Sequence, residues 1–264
     1  MRGRKSKNRV VLYREILVMH NENTEIWNRK WENVRSDSRI IKRHFRSGRW
    51  KKIDKRVKIH FGSFRGLKVI ELGSGRGTES LLMALQGASV TLVDNSNMAL
   101  TRAKELFKLY NLNPACYNQD IFDLDDRFLS SFDISMSFGV VEHFLNRSER
   151  DRAIRAHYDV LKPRGIFFIS VPNKRCPHYR LALYLGKVVS KHNKGVLHTE
   201  EKPFTYGELK TVGEFLGLKH IEVFGSSFFD FSYNPLLRFI NLGNVGLKFF
   251  DDYLAYAIVF SGTK

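Results

Sequence analysis

Cysteine is nearly absent: Cys116 and Cys176 are the only two in 264 residues. Two thiols build neither a disulfide framework nor a cysteine zinc cluster, and their scarcity fits a reducing compartment. Long apolar runs are missing as well, and no stretch approaches the roughly 18–20 apolar residues that cross a bilayer. The stretch most like a secretory leader, VVLYREILVMH at 10–20, is broken by Arg14 and Glu15 and lacks a small-residue cleavage site. A cytoplasmic protein without a transmembrane segment is therefore expected. Acidic residues are scarce in the first part of the chain. Residues 1–60 hold 19 Lys and Arg against 6 Asp and Glu, whereas residues 61–264 hold 25 against 21. The net charge of +17 thus belongs mainly to a basic arm at 1–60, with a helical pattern from Val10 and Trp27, Trp31 and Trp50 as anchors. Such an arm suits RNA, an anionic membrane surface or plain solvation. Trp27 and Trp31, four apart, share one helix face, which either docks on the core or closes over a pocket.

What is present centres on VIELGSGRGTES at 69–80. The apolar run Leu67 to Leu72 reads as a buried parallel strand; Gly73, Gly75 and Gly77 follow, and from Thr78 the apolar spacing becomes helical. A strand, glycine turn and helix in this order bring a ligand to the backbone at the carboxyl end of the first strand of an open α/β sheet. Glycine serves there because it tolerates positive φ and leaves N–H groups open at close range. A dinucleotide fingerprint has its third glycine one residue later, where Thr78 stands. Glu71, two residues before the first glycine, repels a pyrophosphate but suits an ammonium group. A nicotinamide-dependent oxidoreductase is disfavoured by that spacing. ASVTLVD at 88–94 supplies a second strand, and Asp94 stands at its tip, where an acid accepts hydrogen bonds from both hydroxyls of a ribose.

Ser96 or Asn97 caps the next helix, with Met98, Leu100, Ala103, Leu106, Phe107 and Leu109 on its apolar face. ACYNQD at 115–120 gives a third strand ending in Asp120, and FDISMSF at 132–138 a fourth that runs into GVVEHF. A helix over 148–161, with a capping box from Ser148 and Asp151, is stopped by LKPRG at 161–165 and precedes a fifth strand at 166–173. A helix over 205–216, a strand over 217–225 and a last strand over 253–262 complete the pattern. The acid-x-Gly-x-Gly-x-Gly loop, the FD-x-x-x-S strand before Glu142-His143, and LKPxG with its trailing PN resemble the motifs of class I S-adenosylmethionine-dependent methyltransferases, in particular UbiG- and UbiE-like small-molecule enzymes. The resemblance covers roughly residues 65–262.

It implies a Rossmann-like α/β fold: a seven-stranded, mostly parallel sheet in the order 3-2-1-4-5-7-6, with an antiparallel last strand and helices on both faces. The domain would occupy 61–264, with lid insertions at about 173–204 and 226–250, the second rich in Phe. The implied cofactor is S-adenosylmethionine. Its implied contacts are Glu71, Gly73, Ser74, Gly75 and Gly77 in the loop, Asp94, Asn95 and Met98 after the second strand, Asp120 and Ile121 after the third, and Phe138 and Gly139 after the fourth.

Methyl transfer needs positioning and exclusion of water, and an oxygen acceptor gains from a nearby base. His143 is the candidate base, or else a histidine that lines the cofactor pocket. Some relatives are thought to hold a divalent metal with an extra carboxylate three residues before Glu-His; Gly139 stands there, so no metal is assigned. The expected reaction is O-methylation of an apolar, aromatic or lipid-like small molecule. RNA or tRNA methylation through the basic arm and an inactive cofactor-binding module are the alternatives. Base-amine motifs are lacking at SFGV, 137–140, and Cys176 lacks the Thr-Cys setting of a cytosine-5 nucleophile.

Overall fold

The apolar run after Leu67 forms β1 (Lys68–Leu72), buried from Val69 onward, and the other strands assemble around it. The computed structural model describes residues 24–32, 34, 38–181, 183–184, 200–226, 228 and 248–264. With β2 (Ser89–Asp94), β3 (Ala115–Asn118), β4 (Phe132–Phe138), β5 (Leu161–Pro172), β6 (Lys219–Gly225) and β7 (Ala257–Thr263), β1 forms one sheet in the order β3-β2-β1-β4-β5-β7-β6. β7 runs antiparallel to both β5 and β6, while the other pairings are parallel. This is the topology that the resemblance implies.

Alternation along the strands divides the apolar side chains between two faces. Val69, Leu92, Ile134 and Met136 pack with α4 (Thr78–Ala84) and α5 (Asn97–Lys108) on one face. Ile70, Leu72, Val93, Phe167 and Ile169 pack with α6 (Arg147–Asp159) and α8 (Tyr206–Phe215) on the other. The first face also takes Trp50, Ile53 and Val57 of α3 (Gly48–Phe61) and Ile41 of α2 (Ser38–Arg46). Two basic helices of the arm are therefore part of the core around β1, with Lys42, Lys51, Lys55 and Lys58 exposed and Lys52 Nζ donating to Gly225 O at 2.8 Å. Before them, residues 24–32 form a further helix, α1.

Several local expectations are corrected. LKPRG does not stop a helix; it opens β5, Leu161 pairing with Phe132 across an irregularity in β4, and Lys162 Nζ binding Asp133 Oδ1 at 2.7 Å. The helix before it starts one residue early, with Asn146 as N-cap and no side-chain cap bond, so Ser148 and Asp151 form no capping box. Asp151 instead faces Arg147 one turn back, at 3.8 Å. Leu109 ends α5 at 58 % exposure rather than on its apolar face, and Met98 is only half-buried. Tyr253 lies in a helix, α9 (Lys248–Leu254), so the last strand starts at Ala257. That helix crosses Gly225, where a Cβ would collide with the Asp251 carbonyl, so this approach requires glycine. A short helix, α7, begins at residue 177 after β5. His192, His198 and most of the Phe-rich stretch lie outside the described residues. Among the described residues no helix is long and apolar enough to cross a membrane.

Ile53 is fully buried and Ile59, on the same helix, is 75 % exposed. Ile53→Ala is expected to lower the unfolding free energy by about 2–5 kcal/mol, and Ile59→Ala to leave it within about 0.5 kcal/mol, as read from urea titration. Equal effects would contradict the placement of α3 in the core.

Candidate methyl-donor and acceptor site

The strand order reverses between β1 and β4, so their carboxyl ends open a crevice, the place where ligands bind in open α/β sheets. Gly73, Gly75 and Gly77 line its β1 side, all with positive φ. A Cβ at Gly73 would come within 2.6 Å of Val140 Cγ2, and one at Gly75 within 2.6 Å of Trp31 Cζ2. The loop is tied to β2 by Ser74 N–H on Val93 O at 3.0 Å and by Gly75 N–H on Asp94 Oδ2 at 2.7 Å. Asp94 Oδ1 accepts Ser96 N–H at 2.9 Å. Burial pushes the Asp94 carboxyl up to about 6, against the pull of these two N–H groups. Each oxygen keeps a second lone pair, which is what two ribose hydroxyls would need.

Glu71 is buried at the end of β1 and accepts Ser80 Oγ–H at 2.5 Å. Burial, and after it the neighbouring Glu79, pushes its carboxyl well above the ordinary range. A ligand ammonium would supply the counter-charge. Glu79 is ion-paired to Arg49 and lies 3.1 Å from His44 Nδ1; although burial opposes it, Arg49 and His44 hold its carboxyl low. Arg49 also stacks over Phe138, 4.9 Å from the ring centre, so α2 and α3 reach the donor end of the crevice. Asn95 is half-buried beyond β2. Asp120 Oδ1 caps its own turn through Phe122 N–H at 2.8 Å, and the next residue, Ile121, is buried. Gly139 is exposed at the β4 tip, its N–H on Ser170 O at 3.0 Å.

Helix α1 lies across this crevice. Its Trp31 covers Gly75, its Trp27 meets His143 edge-on at 5.1 Å, and Asn28 Oδ1 accepts Ser96 Oγ–H at 2.6 Å. Arg102 of α5 fixes the end of the helix by donating to Trp31 O at 3.2 Å and Glu32 O at 2.6 Å. The Trp27–Trp31 spacing signalled this face; Asn28 and Lys30 carried no signal of their own.

At the acceptor end, Val141–His143 form a single 3₁₀ turn after β4. Lys202 N–H donates to Glu142 O at 2.8 Å, and His143 Nδ1 faces Glu200 O at 3.2 Å. A carbonyl only accepts, so Nδ1 carries the proton and Nε2 keeps its lone pair. Burial lowers the His143 pKa, which keeps the ring neutral. Glu142 is buried, its Oε2 has no hydrogen-bond partner among the described residues, and burial pushes its carboxyl up to about 8. Glu201, in the stretch that leads to α8, accepts Tyr179 O–H at 3.0 Å. One donor atom each from Glu142, His143 and Glu201 lie within 4.8 Å of one another. Two carboxylates and an imidazole, with one buried carboxylate oxygen unsatisfied, fit a divalent cation. Sequence spacing does not reveal Glu201, because it lies 58 positions beyond His143, with α6 and β5 between them.

Sheet order, glycine loop and acid at the β2 tip together define a class I methyltransferase architecture. The family described as Methyltransferase domain matches residues 69–165. A ubiquinone biosynthesis O-methyltransferase from Pseudomonas putida (strain W619) is 30% identical over 193 residues, covering 73% of this chain and 77% of its own. A SAM-dependent methyltransferase from Archaeoglobus fulgidus superposes with TM-score 0.55 at 17% identity, over 81% of this chain and 94% of the other. Magnesium protoporphyrin IX methyltransferase from Synechocystis PCC 6803, solved with SAH bound, gives 0.55 at 16%, over 92% and 94%. The chain belongs to the class I S-adenosylmethionine-dependent methyltransferases: it is an enzyme whose cofactor is S-adenosylmethionine.

With the Asp94 carboxyl near 6, its ionised form, the better acceptor for ribose hydroxyls, prevails above that pH and is lost below it. Affinity for S-adenosylhomocysteine is therefore expected to fall as pH drops through about 6, and Asp94→Asn to bind about tenfold more weakly without that step. Calorimetric titration across pH checks this; an unchanged profile in Asp94→Asn would place the ribose elsewhere.

Proposed function

We propose that the enzyme methylates a hydroxyl of an apolar, aromatic or lipid-like small molecule, with His143 as the group that receives the acceptor's proton. The observation that carries this reading is the His143 tautomer: Nδ1 is committed to Glu200 O, leaving Nε2 as a neutral acceptor beside the β4 tip. The chemistry supplied by S-adenosylmethionine is an electrophilic methyl group on a cationic sulfur. The glycine loop, Glu71 and Asp94 hold the donor's two ends, with Ser74, Asn95, Met98, Asp120, Ile121, Phe138 and Gly139 as the surrounding wall. Trp27 and Trp31 of α1 exclude water from the line between donor and acceptor. On methylation of the acceptor oxygen, Nε2 would take the proton that the hydroxyl loses. A divalent cation held by Glu142, Glu201 and that same Nε2 would instead supply a lowered pKa at the hydroxyl, with His143 then a ligand and not the base.

An aromatic or lipid-like acceptor is supported by the rings that lead away from Glu201. Tyr179, bonded to Glu201, meets Tyr256 at 5.2 Å, and His178 stacks on Tyr256 at 5.6 Å. Phe228 follows at 5.5 Å and Phe250 at 5.4 Å. Tyr179 and His178 are buried in this cluster, while the half-buried Tyr256 and Phe228 and the exposed Phe250 offer apolar area to a ring or chain whose hydroxyl stays at the Glu142–His143 turn.

The purified enzyme, given methyl-labelled cofactor and hydroxylated aromatic compounds with and without an apolar tail, is expected to label the hydroxyl and to favour the tailed compounds. Label recovered only in RNA from a parallel incubation would overturn the reading. His143→Ala is expected to reduce kcat by about 10²–10⁴ with S-adenosylhomocysteine affinity within a few-fold; parallel loss of both would make His143 a pocket residue instead.

A further inference from the structure

Trp27, Asn28 and Trp31 share the face of α1 that lies over the crevice, since helix positions three and four apart are neighbours. Each reaches a different strand tip. Trp27 meets His143 after β4, Trp31 lies on Gly75 after β1, and Asn28 bonds the turn after β2. The partners of Asn28 fix which way its amide is turned. Ser96 Oγ already accepts Ala99 N–H at 3.1 Å, so its own hydrogen goes to Asn28 at 2.6 Å, and Met98 N–H approaches the same atom at 3.4 Å. Two donors require the amide oxygen there. The amide nitrogen is thereby turned away from the first turn of α5, and it donates to nothing among the described residues. Ser96 joins this amide to Asp94, its backbone N–H bonding Asp94 Oδ1 at 2.9 Å. Arg102 keeps α1 in place: bonded to both carboxylate oxygens of Glu105, it donates to the carbonyls of Trp31 and Glu32 at the end of the helix.

We propose that Asn28 is a ribose-binding residue of the donor site, its Nδ2–H donating to a hydroxyl that itself donates to Asp94, and that Arg102 is its positioning residue. A ribose hydroxyl is donor and acceptor at once. The Asp94 carboxylate brings acceptor oxygens and no donor, so it satisfies one half of each hydroxyl; an amide N–H from the covering helix supplies the other half. The ribose then bridges the sheet and its cover, and α1 contributes to donor affinity by a directed bond as well as by the two indole rings. Asn28→Asp separates this role from plain capping of α5. It retains the oxygen that Ser96 and Met98 bond, with a charge that suits the start of a helix, and it removes the N–H donor. The inference rests on the reading of Asp94 as the ribose acid, and Asp94→Asn tells the two apart.

The test is calorimetric titration of the full chain with S-adenosylhomocysteine and with its 2′-deoxy and 3′-deoxy analogues. The unaltered protein is expected to prefer the ribose form to at least one analogue by about tenfold, and Asn28→Asp to reduce that preference by about fivefold, with its urea midpoint retained. Asn28→Ala, which loses the bond to Ser96 as well, is expected to show the same reduced preference at a lower midpoint. Arg102→Ala is expected to reduce the preference likewise and to add nothing to Asn28→Asp. A preference unchanged in either Asn28 variant would overturn the proposal and leave Asn28 as a cap of α5. Should Asp94→Asn abolish the preference in that case, the ribose reading of Asp94 survives alone; should it too leave the preference unchanged, both readings fall.

Discussion

The site depends on one carboxylate. Asp94 spans Gly75 N–H and Ser96 N–H, and thereby joins the loop after β1 to the turn after β2 so that both face the same crevice. Burying an acid is unfavourable, and its raised pKa records that cost; two backbone donors offset part of it. The arrangement holds the glycine loop open without any side chain of its own. The Ser96 hydroxyl caps α5 through Ala99 N–H and at the same time donates to Asn28 of α1, so the anchoring of the cover starts from the same turn.

The basic arm acquires a different meaning once its helices are placed. α3 contributes Trp50, Ile53 and Val57 to the core, and its Arg49 neutralises Glu79 beside the loop. Positive charge here is partly a counter-charge to buried acids: Arg49 for Glu79, Lys30 facing Glu142 and Glu201. The pair Glu71 and Glu79 illustrates the division. Burial, and after it Glu79, which Arg49 and His44 hold low, raises Glu71, leaving Glu71 suited to a ligand that brings its own positive group.

The sheet was legible because its strands are continuous apolar runs ended by glycine or an acid, and because five motifs occur in order. Two errors share a cause. LKPRG carries proline and glycine, yet pairing of the first residues of β5 with the chain end after β7, with Arg164 N–H on Lys264 O, holds it as strand. Tyr253 begins an apolar run that periodicity cannot assign, and the gap over Gly225 decides for helix. At the site, the loop glycines, Asp94 and His143 announce themselves by spacing, since each belongs to the strand end that positions it. Glu201, Lys30 and Arg49 do not, because they reach the crevice from other segments and only tertiary packing brings them there. The Trp27–Trp31 pair is intermediate: its shared face was readable, whereas its target, Gly75 and His143, was not.

The central claim is that the Asp94-braced glycine loop, under α1, is the site for a nucleoside with an amino-acid tail. Hydrogen exchange of residues 24–32 and 73–77 with and without S-adenosylhomocysteine tests it most directly. The account predicts that both segments gain protection together on addition of S-adenosylhomocysteine and that NAD has no effect. Protection by NAD, or none in either segment at saturating S-adenosylhomocysteine, would contradict it.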